Sequence, residues 1–368
     1  MKLMQKKITI CYPFDGSKMG GSKISFLQFI NKLDKKKFLP IIVLFNGGIF
    51  YEHLKTNNIP FEYLPNFKIS EKNILLQIIK SFYLINFIKK HEIEIVHTND
   101  NLMHLIWALP SKLTNKIFIK HFRNTDRSKL MILFELFTDK IIAISKYNRS
   151  LITKIFINKT VMIYNPIQLC KKKEITKYDK KLRNKFVISF VSNPIKLQKN
   201  PFILIEIAKE LINKIDFKFL IIGSKDSIVG KDFEKEINSY NLGKYFVFTG
   251  RKFPIYNLLS LSNLLISPAK HEAFGRTVVE AMKLNIPVLA SSEGGHKEII
   301  KHNYNGLLCP TNSSKDYVKS ILKLNNDGKL IKRLRRNAKL KANKKYSVKN
   351  HVEKIQNLYL TLTSNNRK

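Results

Sequence analysis

The sequence predicts an α/β protein of two doubly wound domains, each built on a parallel sheet, and three observations carry that prediction. Apolar runs of strand length alternate from end to end with longer segments of helical period, the pattern of parallel sheets joined by crossover helices. The 368 residues exceed what one hydrophobic core usually serves. A polar, highly charged stretch from Cys170 to Lys185, CKKKEITKYDKKLRNK, interrupts the alternation with no apolar face in either period and reads as an interdomain linker.

The elements follow in order. In the first half, strands are expected at Ile8 to Tyr12, Phe38 to Phe45, Ile93 to His97, Ile117 to His121, Lys140 to Ser145 and Val161 to Tyr164, with helices between them. After the linker come strand Phe186 to Val191, helix Pro201 to Lys214, and strands Phe217 to Ile222, Tyr245 to Phe248 and Leu264 to Ser267. Helix Gly275 to Leu284 and strand Pro287 to Ala290 complete the second domain. Gly328 to Lys344 reads as a basic helix, and Val348 to Leu362 as an amphipathic one with Val352, Ile355, Leu358, Tyr359 and Leu362 on one side. The expected division is therefore 1–169, a linker 170–185, and 186–347, with the last helix, 348–368, packing back on the first domain.

Composition narrows the function. With 44% hydrophobic and 11% aromatic residues, global disorder is excluded. Cys11, Cys170 and Cys309 are too few and scattered for a disulfide framework or a metal site, which fits a reducing compartment. The start, MKLMQKKITICYPF, lacks the long apolar core and cleavage site of a signal peptide. The longest uncharged stretch, between Lys252 and Lys270, is broken by Pro254, Asn257, Asn263 and Pro268 and is no membrane span. The expectation is a cytoplasmic protein. Its 66 Lys+Arg against 27 Asp+Glu leave +39, which has two readings. Lys, Ile and Asn share A/T-rich codons, so the charge can be compositional; or it serves a negative partner, namely nucleic acid, an anionic membrane or phosphorylated substrates. A basic stripe with interleaved aromatics or a recognised nucleic-acid module is not found, so no nucleic acid is expected.

Open α/β sheets bind ligands at the carboxyl ends of their strands, and two loops there stand out. In YPFDGSKMGGSKISF, Gly20 and Gly21 precede a helix, so their N–H groups and the helix start suit a phosphate, although a plain tight turn explains them as well. In LLISPAKHEAFGRTVVEAM, Glu272 lies in the loop and Glu280 on the second turn of the following helix, seven residues intervening. Such a pair alone is most simply dipole compensation or a solvated face. Gly275, however, permits close backbone approach, and the N–H groups of Arg276 and Thr277 are unpaired donors of a helix start, suited to a diphosphate.

This stretch, HEAFGRTVVEAM, resembles the Glu, seven residues, Glu signature of the family 4 glycosyltransferases of GT-B fold, and NIPVLASSEGGHKEIIKHNYNGLLCP resembles its context. FVSNPIKLQKNPFILIEIAKEL is similar to the family's phosphate-binding segment, and FLIIGSKD and FTGRKFPIYNLLSLSNLLISP to the strands between. In the first half KMGGSKISFLQFINKL, IEIVHTND and IIAISKYNRSLI match more loosely. The resemblance implies two Rossmann-like domains facing a central cleft, and retaining transfer of a sugar from a UDP- or GDP-linked donor, with no cofactor and no metal. It places Glu280 on the ribose hydroxyls, Glu272 near the reacting centre and Lys199 on the diphosphate. The donor-binding set it implies is Gly20, Gly21, Asn193, Lys199, Phe274, Gly275, Arg276, Thr277 and Glu280, the Phe274 side chain reading as packing like Trp107 and Cys309. His121 matches a histidine that reaches toward sugar and acceptor, and a hydrogen-bonded core histidine is the alternative; His97 ranks lower.

Two departures stand out. Ser192-Asn193 replaces a pair that usually carries an Arg, so that either Lys196 or Arg276 makes up the missing cation or donor binding is weaker. Ala269 stands where a Ser is common. Asp100 in HTNDN has no second carboxylate nearby in sequence to hold a metal.

Acceptors in the family include glycans and lipid-linked intermediates, which suggests surface polysaccharide or lipopolysaccharide synthesis. Two segments of the first domain suit the inner face of an anionic membrane: Glu71 to Lys90, with lysines at 72, 80, 89 and 90, and NTDRSKLMILFELFTDK. Packing on the sheet is the other reading of both. The rival activities are a sugar-nucleotide epimerase on the same fold, for which no base constellation assembles, and a basic nucleic-acid-binding protein.

Overall fold

The computed structural model describes residues 6–64, 74–125, 128–169 and 178–366, with only the backbone of 74–80 and 179–180. The chain divides into two compact units, Met1–Pro166 with Val348–Lys368, and Ile167–Ser347. Both are parallel sheets wrapped by helices.

The first sheet has seven strands: β1 (Ile8–Phe14), β2 (Phe38–Leu44), β3 (Glu62–Tyr63), β4 (Ile95–Thr98), β5 (Ile117–Phe122), β6 (Lys140–Ala143) and β7 (Thr160–Met162). Their order is β3-β2-β1-β4-β5-β6-β7. The two-residue period of β1 sends Ile8, Ile10, Tyr12 and Phe14 to one face, onto Phe26, Phe29 and Ile30 of helix Gly21–Ile30. Cys11 goes to the other face with Val96 and Phe118, beneath helices Ile74–Lys90 and Asn101–Leu113. Burial on both faces is why these strands are almost continuously apolar. Helix Val348–Asn366 lays Val352, Ile355 and Tyr359 into the first of these cores. It is also fixed by polar contacts: the Asp34 N–H donates to Gln356 Oε1 at 2.8 Å, and His351 Nδ1 donates to the Tyr164 carbonyl at 2.7 Å.

The second sheet has six strands: β8 (Phe186–Val191), β9 (Phe217–Ile222), β10 (Phe246–Phe248), β11 (Leu264–Ser267), β12 (Val288–Ser291) and β13 (Leu307–Cys309). Their order is β10-β9-β8-β11-β12-β13. Its core joins Ile188, Phe190, Phe219 and Ile221 to the helices Ile203–Leu211, Ile228–Ser239 and Ser314–Asn326.

Differences from the sequence reading have local causes. The edge strands β3 and β13 were not anticipated, because two or three residues carry no readable period. The helix expected from Pro201 is shorter, Ile203–Leu211, since Pro201 and Phe202 form the turn that opens it. Of the charged segment 170–185, residues 170–177 lie outside those described; in the remainder, Leu182 is buried and Lys185 is ion-paired with Asp216. Among the described residues, no helix is long and apolar enough to cross a membrane.

Candidate active site

In the second unit the strand order reverses between β8 and β11, and the crevice at the carboxyl ends of such neighbours is where open α/β sheets bind ligands. The loop after β8 carries the exposed Lys196 and then a short turn, Leu197–Lys199. The loop after β11 runs to Gly275, which starts helix Arg276–Lys283. Across this crevice Lys199 and Glu272, 73 positions apart in sequence, form an ion pair, and Glu272 also accepts the Gly275 N–H. Burial pushes the Glu272 carboxyl up, but Lys199 and then His296 outweigh it and hold the group below the usual carboxylate range.

One turn into the helix, Glu280 is buried, and Arg276 Nε lies 2.8 Å from its Oε1. Oε2 has no hydrogen-bond partner among the described residues. Burial raises this carboxyl despite the guanidinium beside it. An acceptor left in that state costs about 1–3 kcal/mol, which a donor pair such as two ligand hydroxyls would return.

The loop before this helix is shaped from below. Gly275 adopts φ +99°, and a Cβ there would stand 3.0 Å from His296 Cδ2. His296 itself is wedged between strand ends: Nδ1 is 2.9 Å from Ser291 Oγ and Nε2 is 3.2 Å from Ser267 Oγ. Ser291 Oγ donates to the Ala269 carbonyl, so it accepts from Nδ1–H, and Nε2 accepts from Ser267. Burial brings His296 down to about 4, keeping it neutral. Gly294 and Gly295 press on the same loop, the Gly295 N–H donating to the Glu272 carbonyl at 2.7 Å. A Cβ on Gly294 would come within 2.5 Å of that oxygen.

The remaining predicted residues of this unit fall as follows. Thr277 is half-buried in the first turn of the helix, and Phe274 is buried with its ring edge-on to Tyr346. Asn193 Oδ1 accepts the Ser224 N–H, so its side chain is turned toward the end of β9. Of the two cations expected to replace the missing Arg, Arg276 is directed at Glu280, while Lys196 faces solvent.

In the first unit, Gly20 and Gly21 are exposed at the start of their helix, and a Cβ on Gly20 would meet nothing within 4 Å. Lys23, buried beneath them, lies over the Phe50 ring, and burial lowers its pKa although Asp100 and Asp15 oppose that. Asp100 caps helix Asn101–Leu113, accepting the Met103 N–H at 2.8 Å.

His121 sits near the end of β5, stacked between His97 (5.3 Å) and His351 (6.0 Å). Arg123, two residues on and so on the same face, donates to His121 Nδ1 at 3.2 Å, to Asn99 Oδ1 through Nε and Nη2, and to Asn165 Oδ1. A guanidinium only donates. It therefore fixes His121 as the Nε2–H tautomer and turns the Asn99 amide nitrogen away from itself. Asn99 Nδ2, His121 Nε2 and His97 Nε2 have no hydrogen-bond partner among the described residues, and their side chains line one cavity of ≈ 10 Å³, room for a single water-sized group. His97 Nδ1 lies 2.5 Å from Tyr359 OH, which lies 3.0 Å from Tyr12 OH. Burial, reinforced by Arg123, takes His97 and His351 down to about 3 and His121 well below its usual value. Sequence reasoning named His121 but missed Arg123, Asn99 and His296. The only available signals were the alternation in KHFRN and the glycines of EGGH.

Comparison with known proteins identifies the family. The family model of "Glycosyl transferases group 1" matches residues 172–341, which span the Lys199, Glu272 and Glu280 positions. An uncharacterized glycosyltransferase of Methanocaldococcus jannaschii, MJ1178, is 32% identical over 301 residues, covering 76% of this chain and 81% of its own. The chain belongs to the group 1 glycosyltransferases. The UDP-Gal:alpha-D-GlcNAc-diphosphoundecaprenol alpha-1,3-galactosyltransferase of Escherichia coli is 24% identical over 308 residues, covering 77% of this chain and 79% of its own. The crystal structure of Anabaena Alr3699/HepE in complex with UDP and glucose superimposes with a TM-score of 0.83 at 21% identity, covering 97% of this transferase and 100% of that chain. The solved neighbours share the GT-B fold of two Rossmann-like parallel-sheet domains.

Proposed function

We propose that this glycosyltransferase moves a sugar, with retention, from a UDP- or GDP-linked donor to a glycan or lipid-linked acceptor in surface polysaccharide or lipopolysaccharide synthesis, on the cytoplasmic side of the membrane. The observation that carries the reading is the pairing of Lys199 with Glu272 beside a buried Glu280 whose Oε2 awaits a donor, all at the strand-order reversal of the second sheet.

Each part has a role in that reaction. Glu280 Oε2 accepts from the ribose hydroxyls of the nucleotide. The helix start at Gly275 presents its N–H groups to the diphosphate. As the bond between the anomeric carbon and the diphosphate oxygen breaks, its electron pair leaves with the diphosphate. Lys199, positioned in advance, stabilises that growing charge, the type of term that lowers such barriers most. The acceptor oxygen forms the new bond on the same face, and its proton passes to the departing phosphate oxygen, so no protein base and no metal is invoked. Glu272, kept ionised by Lys199, faces the positive charge that develops on the sugar ring. In the first unit, the Gly20–Gly21 amides are assigned to phosphate and His121 Nε2–H to a substrate oxygen.

The test is a thermal-shift screen against UDP, GDP, ADP and their sugars, repeated with Glu280→Ala and Lys199→Ala. Stabilisation by one nucleotide class, lost in both variants, supports the reading. No shift with any nucleotide sinks it. Proton NMR of the product's anomeric linkage, and turnover in the presence of a chelator, decide retention and metal independence.

A further inference from the structure

The first unit carries a face that the transfer chemistry does not use. Helices Ile74–Lys90 and Asn101–Leu113 and the turn region Lys129–Phe137 pack on one side of the seven-stranded sheet through Leu84, Phe87, Met103, Trp107, Phe134 and Phe137. Their outward side is far from polar. Phe82, Tyr83, Leu113, Leu133 and Leu136 are each more than half exposed. Ile155 joins them from the adjoining turn Lys154–Lys159, whose Phe156 and Ile157 cluster with Ile132.

The charges among these side chains have one sign. Lys89, Lys90, Lys112, Lys129 and Lys154 are exposed. Within the described residues of these four elements the one acidic side chain is Glu135, which is buried and bound to Lys120 at 2.7 Å. An ordinary solvated surface mixes both signs and scatters its large apolar residues singly. Here cations and apolar side chains recur together over four neighbouring elements.

That combination selects the partner. Nucleic acid would answer the lysines but not the leucines; a purely apolar groove would answer the leucines and leave the lysines unpaired. An anionic lipid surface answers both, taking aromatic and aliphatic side chains to the depth of its headgroups while its phosphates meet the lysines. We propose that this face docks the protein on an anionic membrane, with Phe82, Tyr83, Leu133 and Leu136 entering the headgroup layer. The proposal goes beyond the transfer reading and stands without it.

The formal charge of +39 would draw the chain to any polyanion, so the experiment must separate insertion from adsorption. The full chain is sedimented with vesicles of phosphatidylcholine alone and of phosphatidylcholine mixed equally with phosphatidylglycerol, at low and high salt. Binding to the mixed vesicles is expected, with a salt-resistant part that falls roughly tenfold in a Phe82→Ser, Leu133→Ser double variant whose melting temperature and nucleotide response are unchanged. Phe82→Trp should shift its emission to the blue on these vesicles and be quenched by brominated acyl chains, against the buried Trp107 background. A control, Lys332→Glu with Arg336→Glu in the basic helix Gly328–Lys345, should leave the salt-resistant part intact. The proposal is overturned if the double variant binds like the parent, if the Phe82→Trp emission does not move, or if only the control variant loses binding.

Discussion

Two helices of this transferase begin at a glycine at the carboxyl end of a sheet, yet the two glycines differ in their physical setting. Gly275 has a left-handed backbone and a space already filled by His296 and Ile299. Gly20 has φ −135°, accessible to any residue, and open space where a side chain would go. The first is required by its own fold; the second is only tolerated by it. A glycine before a helix is the same letter in both places, and only the packing separates a structural demand from a position left open.

That contrast can be broken or sharpened by experiment, and the largest effect is expected where chemistry and structure coincide. Lys199→Ala removes the cation paired with Glu272, and if Lys199 also meets the departing diphosphate as proposed, turnover should fall roughly 10²- to 10³-fold. Steady-state rates at saturating donor measure it; a loss confined to KM would mean that Lys199 only binds.

Next comes Gly275→Ala, which forces a side chain into the left-handed region 3.0 Å from His296 and should cost about 1–3 kcal/mol of stability in denaturant unfolding. Parent-like stability would show that the crowding relaxes and that the two glycines are alike after all.

The histidines of the first unit give an effect of similar size. His97 has a folded value of about 3 against 6.5 when free, so the unfolded chain binds more protons between those limits. The stability it contributes is complete above pH 6.5 and is lost as pH falls toward 3, of order 2 kcal/mol at pH 5. His351 shares the direction. Unfolding free energies at pH 7.5 and pH 5 should show this loss, reduced in His351→Gln; a flat profile contradicts the burial that holds these rings neutral.

The smallest effect is Gly20→Ala. Stability should stay within about 0.5 kcal/mol of the parent, while the response to nucleotide sugars weakens. If the nucleotide response is unchanged as well, Gly20 is only a turn residue.

How much of this was legible in the sequence depends on the distance over which each residue finds its partner. The sheets were, because strands buried on both faces, such as Phe217–Ile222, are apolar throughout. Glu272, Glu280 and the helix start between them were, since they lie within one turn-and-helix spacing. The pairing of Arg276 with Glu280 is readable as a pair four residues apart. The place of His296 under Gly275, and the grip of Arg123 on Asn99 and Asn165, join residues 21 to 42 positions apart, and no local period announces them.

The helix Val348–Asn366 has a consequence in time. All seven strands of the first unit are made by residue 162, but the helix that lays Val352, Ile355 and Tyr359 onto them is made only after the second unit. Domains ordinarily fold as units from the amino end while the ribosome is still working. The core that holds Phe29 and Phe38 therefore cannot be completed until the second unit has been made, so the half of the chain that emerges first cannot finish folding before the other half has been synthesised.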